Sequence, residues 1–351
     1  MKFKKSSTGR WFKSAFALTI VSGFAFAATT ATDNYVVKNK IVIEENPMLA
    51  VFTFLLLGAW IGLIVQYFSS NLLGTGIDND FKKIRIYPFK YQKEAAISGG
   101  LSAVATIFAL WGGQIADPSV VIVLMNIVMV YLVFYDVIVA KTLLLKSIII
   151  PALLIILGSI LASMKDLSFS FEGFGLALVV LLLGRGLSSS ASKVLDQKGV
   201  RKENEGELIF DPVNYAFLRF FWLAVFGTLL AFGWSLITHN TISLILALKI
   251  FFPIALPAII FLMFFVTIAN ATEAAARKVA ETSVVSLLVT FQVVVIIPIT
   301  LIGDLVQKDI FGSLPTNPWV WGFRIAGMLL VIFGVRRLVP LIKDKSKKEA
   351  D

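Results

Sequence analysis

The chain has 351 residues, 58% of them hydrophobic and 15% charged, with 30 Phe, a mean hydropathy of +0.86 and a formal net charge of +10. A soluble chain of this length carries more charge and shorter apolar runs, so the ordinary globular class is excluded. Cysteine is absent, which excludes disulfides and thiolate metal sites; the basic residues flank apolar runs and do not form the folded basic face of a nucleic-acid reader.

Ten apolar stretches follow in chain order, near 11–31, 48–68, 95–113, 119–140, 143–163, 171–190, 215–237, 243–269, 282–303 and 319–339. A helix rising 1.5 Å per residue needs about 20 residues to cross ~30 Å of hydrocarbon. Lipid offers no partner to a bare N–H or C=O, so each stretch is predicted to be helical. The period-two alternation of barrel strands is missing. In the first stretch, Lys2, Lys4 and Lys5 precede an apolar core and Ala25-Phe26-Ala27, the layout of a cleavable secretory signal. The apolar run continues to Ala31, and cleavage would leave nine spans, so a retained span is expected.

The joints between spans differ in charge. Of the 32 Lys and Arg residues, 26 fall on alternate joints, counting both ends of the chain, and 6 on the others. Short cytoplasmic loops carry this excess, so both termini are expected in the cytoplasm of a multi-pass protein of the cytoplasmic membrane. Asp78-Asn79-Asp80 sits in a glycine-bearing joint and reads as a solvated turn, not as a metal-binding acidic pair. The lone histidine, His239, falls in an outer joint and reads as solvated.

The outer joint at 164–170 divides the spans five and five. With an odd number per half, the second half enters from the opposite face, the inverted-repeat plan of secondary transporters. The halves are placed at 1–165 and 166–340, with a cytoplasmic tail at 341–351. Asp117-Pro118-Ser119-Val120-Val121 opens span four as Glu281-Thr282-Ser283-Val284-Val285 opens span nine. Tyr135-Asp136 closes span four as Gly303-Asp304 closes span nine. Gly158 in span five matches Gly327 and Gly334 in span ten.

On these residues the chain resembles the EamA-type family of the drug/metabolite transporter superfamily. The joint Ala116-Asp117-Pro118-Ser119, the pair Gly303-Asp304 where the family usually has Gly-Glu, and the final-helix run Arg324-Ile325-Ala326-Gly327-Met328-Leu329-Leu330-Val331-Ile332-Phe333-Gly334-Val335 carry the likeness. The first-half Gly-Glu position reads Tyr135-Asp136. The resemblance implies an all-α membrane fold of ten helices around a central cavity formed mainly by spans 1, 3, 4, 6, 8 and 9. It also implies export of metabolites or amino-acid-like solutes.

Polar groups at bilayer depth are the candidate site, because leaving them unpaired in hydrocarbon costs several kcal/mol. Asn126 in span four and Gln292 in span nine occupy repeat-equivalent places. Each amide either contacts a neutral or zwitterionic solute or ties helices together. Arg185, in Gly184-Arg185-Gly186 of span six, either draws an anionic group or snorkels to the surface. Trp111 and Gln114 end span three, where the indole serves a cavity wall or an interfacial belt. Glu273 and Glu281 flank Arg277 and Lys278 and read as a solvated, salt-bridged joint. Pro298 in span nine is a candidate bend used in gating.

No nucleotide loop, zinc helix or nucleophile elbow is present, and no catalytic residue, metal site or cofactor is expected. The expected function is secondary transport of a small organic solute by alternating access, with membrane lipid and a coupling ion as the other partners. Oligomeric state is left open. The alternative is an integral-membrane transferase acting on lipid-linked substrates; a third reading is a non-transporting scaffold.

Overall fold

The computed structural model describes residues 8–43, 46–85, 87–115, 127–162, 164, 179–204, 207–307 and 315–348. Eleven α-helices are described in chain order. They are α1 (Thr8–Asn39), α2 (Pro47–Ile77), α3 (Lys93–Ile115), α4 (Ile127–Phe134), α5 (Leu145–Ala162), α6 (Ser188–Val200), α7 (Pro212–Ile237), α8 (Thr241–Val279), α9 (Thr282–Val289), α10 (Gln292–Val306) and α11 (Pro318–Lys348). Two wide π-helical segments join them. Tyr135–Val139 continues α4, and Val179–Leu187 leads into α6. A minimal antiparallel pair, Glu203–Asn204 with Glu207–Leu208, lies between α6 and α7.

Local chemistry sets several helix starts. Asn46 accepts from the Leu49 N–H at 3.1 Å ahead of Pro47, and Asp211 accepts from the Asn214 N–H at 2.9 Å ahead of Pro212. Both are side-chain N-caps with proline in the first turn, where its missing N–H costs nothing. Pro151, Pro253, Pro257 and Pro298 all lie inside continuous helices, as membrane helices allow.

Eight helical segments among the described residues are long and apolar enough to cross a membrane. The described part of the fourth expected span is a shorter apolar helix, Val128–Val139. The first half of the sixth lies outside the described residues. Several helices run past the apolar stretches that the sequence marks, among them α1 to Asn39 and α11 to Lys348. α2 continues to Ile77, α6 carries helix past the span end at 190 to Val200, and α8 reaches Val279. At 39 residues α8 is about 58 Å long, well beyond the hydrocarbon thickness.

The apolar side chains divide between the inside and the outer faces. Phe54, Ile259, Leu262 and Phe220 pack between α2, α7 and α8, and Ile148, Ile155, Leu287 and Val331 pack between α5, α9 and α11. Large apolar side chains also point outward, among them Leu72 at 76% exposure, Ile242 at 84% and Leu305 at 88%. In water such a surface would be costly, and in lipid it is at home.

The main helix pairs are α5 with α11, α1 with α8, α2 with α8, α3 with α7, α3 with α6, and α2 with α7. α1 also lies along α9 and α10. α5 and α11 meet backbone to backbone: a Cβ on Gly158 would come 2.7 Å from the Gly327 carbonyl oxygen, and one on Gly327 would come 2.4 Å from the Ala162 nitrogen. No side chain fits at either position, so this crossing needs glycine on both helices.

Candidate functional site

Span nine tightens in its middle while running on as one span from Thr282 to Val306. α9 ends at Val289, α10 begins at Gln292, and a turn at Thr290-Phe291 joins them. The helical ladder tightens there. The Phe291 N–H donates to the Leu288 carbonyl at 3.0 Å, and the Val293 N–H to the Thr290 carbonyl at 2.9 Å. The Thr290 hydroxyl is held by the Ser286 carbonyl at 3.0 Å and by Met129 Sδ of α4 at 3.1 Å.

α1 lies against this turn at a glycine. A Cβ on Gly23 would come 3.3 Å from the Val289 carbonyl oxygen and 3.5 Å from the Gln292 nitrogen. Phe24 meets Phe291 edge to face, with centroids 6.1 Å apart. Gln292 itself is half-buried, and no group among the described residues takes its side-chain amide. The sequence places the bend of this span at Pro298. Pro298 is exposed within continuous α10, and the tightened turn lies seven residues before it, where α1 and α4 contact the span.

The sixth span brings a cation to the bundle. Arg185 belongs to the π-helical segment Val179–Leu187, a winding that recurs at functional sites. Its neighbour Gly184 seats the Phe108 ring, whose Cγ would lie 2.6 Å from an added Cβ. Phe108 in turn stacks on Trp111 at 6.3 Å and 28°, so Trp111 stands in an aromatic pair beside the Arg185 segment. The Arg185 Nε is buried without a hydrogen-bond partner.

Asp33 of α1 faces Arg185 as an opposite charge, yet no ion pair within 4.0 Å joins the two. Asp33 escapes the sequence reading because it falls two residues beyond the apolar run, in what reads as a joint. The helix continues to Asn39 and carries it inside. Of the other expected residues, Asn126 lies outside the described residues. Gln114 stands in the last turn of α3, and its side chain lies outside the described residues too.

A second polar region occupies the end of the bundle where the basic joints gather. Asp196 of α6 accepts from Arg277 of α8 and from Arg219 of α7, both at 2.9 Å. Its other oxygen takes the Ser98 hydroxyl at 2.5 Å. Arg277 also pairs with Glu273, which holds the Lys193 ammonium at 3.0 Å. Burial pulls Lys193 below the usual lysine range, and Glu273 opposes that shift. Glu281 accepts from Gln197 at 2.9 Å, and Asp136 accepts from the Ser283 N–H at 2.9 Å.

This cluster corrects the reading of 273–281 as a solvated joint. The groups are salt-bridged, but Glu273 is 2% exposed, Arg277 1% and Glu281 4%. The cause is the extension of α8 past its apolar stretch and the docking of α6 beside it. Asp78 and Asp80 also differ from free turn residues, since the Lys278 ammonium lies 3.5 Å and 3.2 Å from their carboxylates.

No family model matches this chain, and no curated protein matches it. A solved structure described as "Crystal structure of protein" superposes with a TM-score of 0.55 at 15% identity. It covers 97% of this chain and 99% of that one. That likeness speaks to the fold alone.

Proposed function

We propose that this chain is a secondary transporter, an exporter of a small organic metabolite or amino-acid-like solute, working by alternating access between two inverted five-helix halves. The observation that carries the reading is the tightened turn of span nine at Thr290-Phe291, where α1 meets the backbone of Gln292, a half-buried residue whose side-chain amide has no partner among the described residues. Interruptions of regular helix at bilayer depth are where transporters of this plan place their substrate, and the tightened turn is the interruption that span nine offers. Asp33, Arg185 and Trp111 supply opposite charges and an aromatic face in the same scheme.

The packing supports the repeat. Exchanging each span with the one five places away turns the α3–α7 pair into α8–α2, and the α1–α8 pair into α6–α3. α5–α11 and α2–α7 map onto themselves, and every pair so generated is present. The halves at 1–165 and 166–340 therefore supply equivalent neighbours. The EamA-type likeness of the sequence gives the same plan.

Purified protein in proteoliposomes should move at least one solute of a metabolite panel down its gradient without ATP. Absence of solute-dependent flux across amino acids, organic acids and amines would remove the reading. The membrane is taken as the cytoplasmic one, with both termini inside. Reporter fusions after Lys93, Lys202 and Lys343 should read cytoplasmic, and fusions near Asp166 and Lys308 external. An external reading at Lys202 would overturn the five-plus-five division.

A further inference from the structure

A recess of about 590 Å³ opens between α5 and α11 at the basic end of the bundle. Its floor is apolar, made by Ile150, Pro151 and the Phe333 ring. Its rim carries Lys146 and Ser147 from the first turn of α5 and Arg336 and Arg337 from α11. One end is closed where the helices touch: a Cβ on Gly334 would lie 3.0 Å from the Pro151 carbonyl oxygen and 2.6 Å from Ile155 Cγ1. Two packed helices therefore hold the recess in a fixed shape.

The three cations differ from their neighbours in the charge cluster. Lys193, Arg219 and Arg277 each have a carboxylate partner. Lys146, Arg336 and Arg337 are exposed, and among the described residues no carboxylate comes within ion-pair distance of any of them. The Arg337 guanidinium rests 5.4 Å from the Phe333 centroid. The first turn of α5 has no acidic residue, so its helix dipole adds further positive potential at the same place. Exposed Ile149, Leu153, Leu329 and Ile332 continue the apolar floor along the outer face of both helices.

We propose that this recess binds the headgroup of an anionic glycerophospholipid. The phosphate sits among Lys146, Arg336 and Arg337, and the acyl chains run along Ile150, Phe333 and the outward apolar faces of α5 and α11. Guanidinium groups suit phosphate because their planar donors bond it in pairs. A half-apolar, half-basic recess where helices meet their joints matches a lipid better than a free anion, which would leave the floor unused. The proposal stands apart from the transport reading.

The test uses the full chain purified in mild detergent. Phosphatidylglycerol and phosphatidylcholine are titrated separately, and bound lipid is counted by native mass spectrometry. Phosphatidylglycerol should be retained selectively. Each basic side chain near a membrane surface contributes on the order of a fivefold gain, so the Lys146→Gln/Arg336→Gln/Arg337→Gln variant should lose about a hundredfold. Arg336→Lys/Arg337→Lys keeps the charge and loses the paired donors, so it should bind between the parent and the triple Gln variant. Lys82→Gln/Lys83→Gln/Lys90→Gln, which removes exposed cations from another joint, should bind as the parent does. Undiminished binding by the first variant, equal loss in the last, or equal retention of phosphatidylcholine would each overturn the proposal. Complete displacement of the lipid by inorganic phosphate would overturn it in favour of a small-anion site.

Discussion

The basic end of the bundle and the region of Arg185 and Gln292 differ in how their charged and amide side chains are paired. At the basic end, Asp196, Glu273 and Arg277 are almost fully buried and each is bonded to two or more partners. Around Arg185 and Gln292, the Arg185 Nε and the Gln292 amide have no hydrogen-bond partner among the described residues. At the basic end the Arg277 Nε also lacks a partner, but its two Nη atoms bond Asp196 and Glu273. Unpaired groups at bilayer depth cost several kcal/mol, and a fold keeps them where a solute or water completes them. In the transport reading the first region is a closed end that ties α6, α7 and α8 together, and the second is the place where a solute is held.

The largest effect should come from breaking the closed end. Arg277→Met leaves Asp196 and Glu273 buried with fewer counter-charges, and removal of one member of a buried ionic group costs about 3–5 kcal/mol. The melting temperature in detergent should fall steeply, whether or not solute is present. A variant that melts like the parent would show that the cluster contributes no cohesion, and the comparison would fail on its first side.

Arg185→Gln and Asp33→Asn test the other side. A hydrogen bond to a charged group is worth about 1.5–3 kcal/mol, so Arg185→Gln should weaken binding of carboxylate-bearing solutes roughly ten- to a hundredfold. Asp33→Asn should act on solutes carrying an ammonium group. Neither should lower the melting temperature of the solute-free protein by more than a few degrees, since neither side chain has a direct ion pair to lose. A large drop in solute-free stability with unchanged binding would make Arg185 and Asp33 a structural pair. Gln292→Leu sits lower on the scale. A neutral hydrogen bond is worth about 1 kcal/mol, so binding should weaken by about fivefold with stability intact.

How far the sequence reaches follows from which forces leave a local signature. Crossing hydrocarbon demands an apolar run of fixed length, so eight membrane-length helices are legible residue by residue. Helix ends are less so, because hydropathy marks where lipid stops and not where the helix stops. Ala269 to Lys278 reads as a joint by charge, yet Ala-rich composition and the Glu273–Arg277 pair at i,i+4 favour continued helix. That signal was present, and hydropathy outweighed it. Asp33 was hidden by the same rule. The tightened turn at Thr290-Phe291 left no mark at all. Neither residue is a helix breaker, and the turn is held by Gly23, Ser286 and Met129, two of them distant in sequence.

The smallest expected effect concerns Pro298, and it decides what kind of hinge span nine has. Pro298 lacks an N–H and leaves the Val294 carbonyl without its helical donor, which gives it the means to bend a helix. Yet its side chain is exposed on α10, away from α1, and the helix is continuous through it. Exposed substitutions that remove no contact stay within about 0.5 kcal/mol, so Pro298→Ala should change turnover in proteoliposomes by no more than about twofold. Thr290→Leu removes the hydroxyl bonded to Ser286 and Met129 and should change turnover more than solute affinity. The reverse order, with a large change from Pro298→Ala and none from Thr290→Leu, would move the hinge to the proline. It would also leave the Gln292 amide beside a static turn, and the middle of the bundle would lose the mobility that alternating access requires of it.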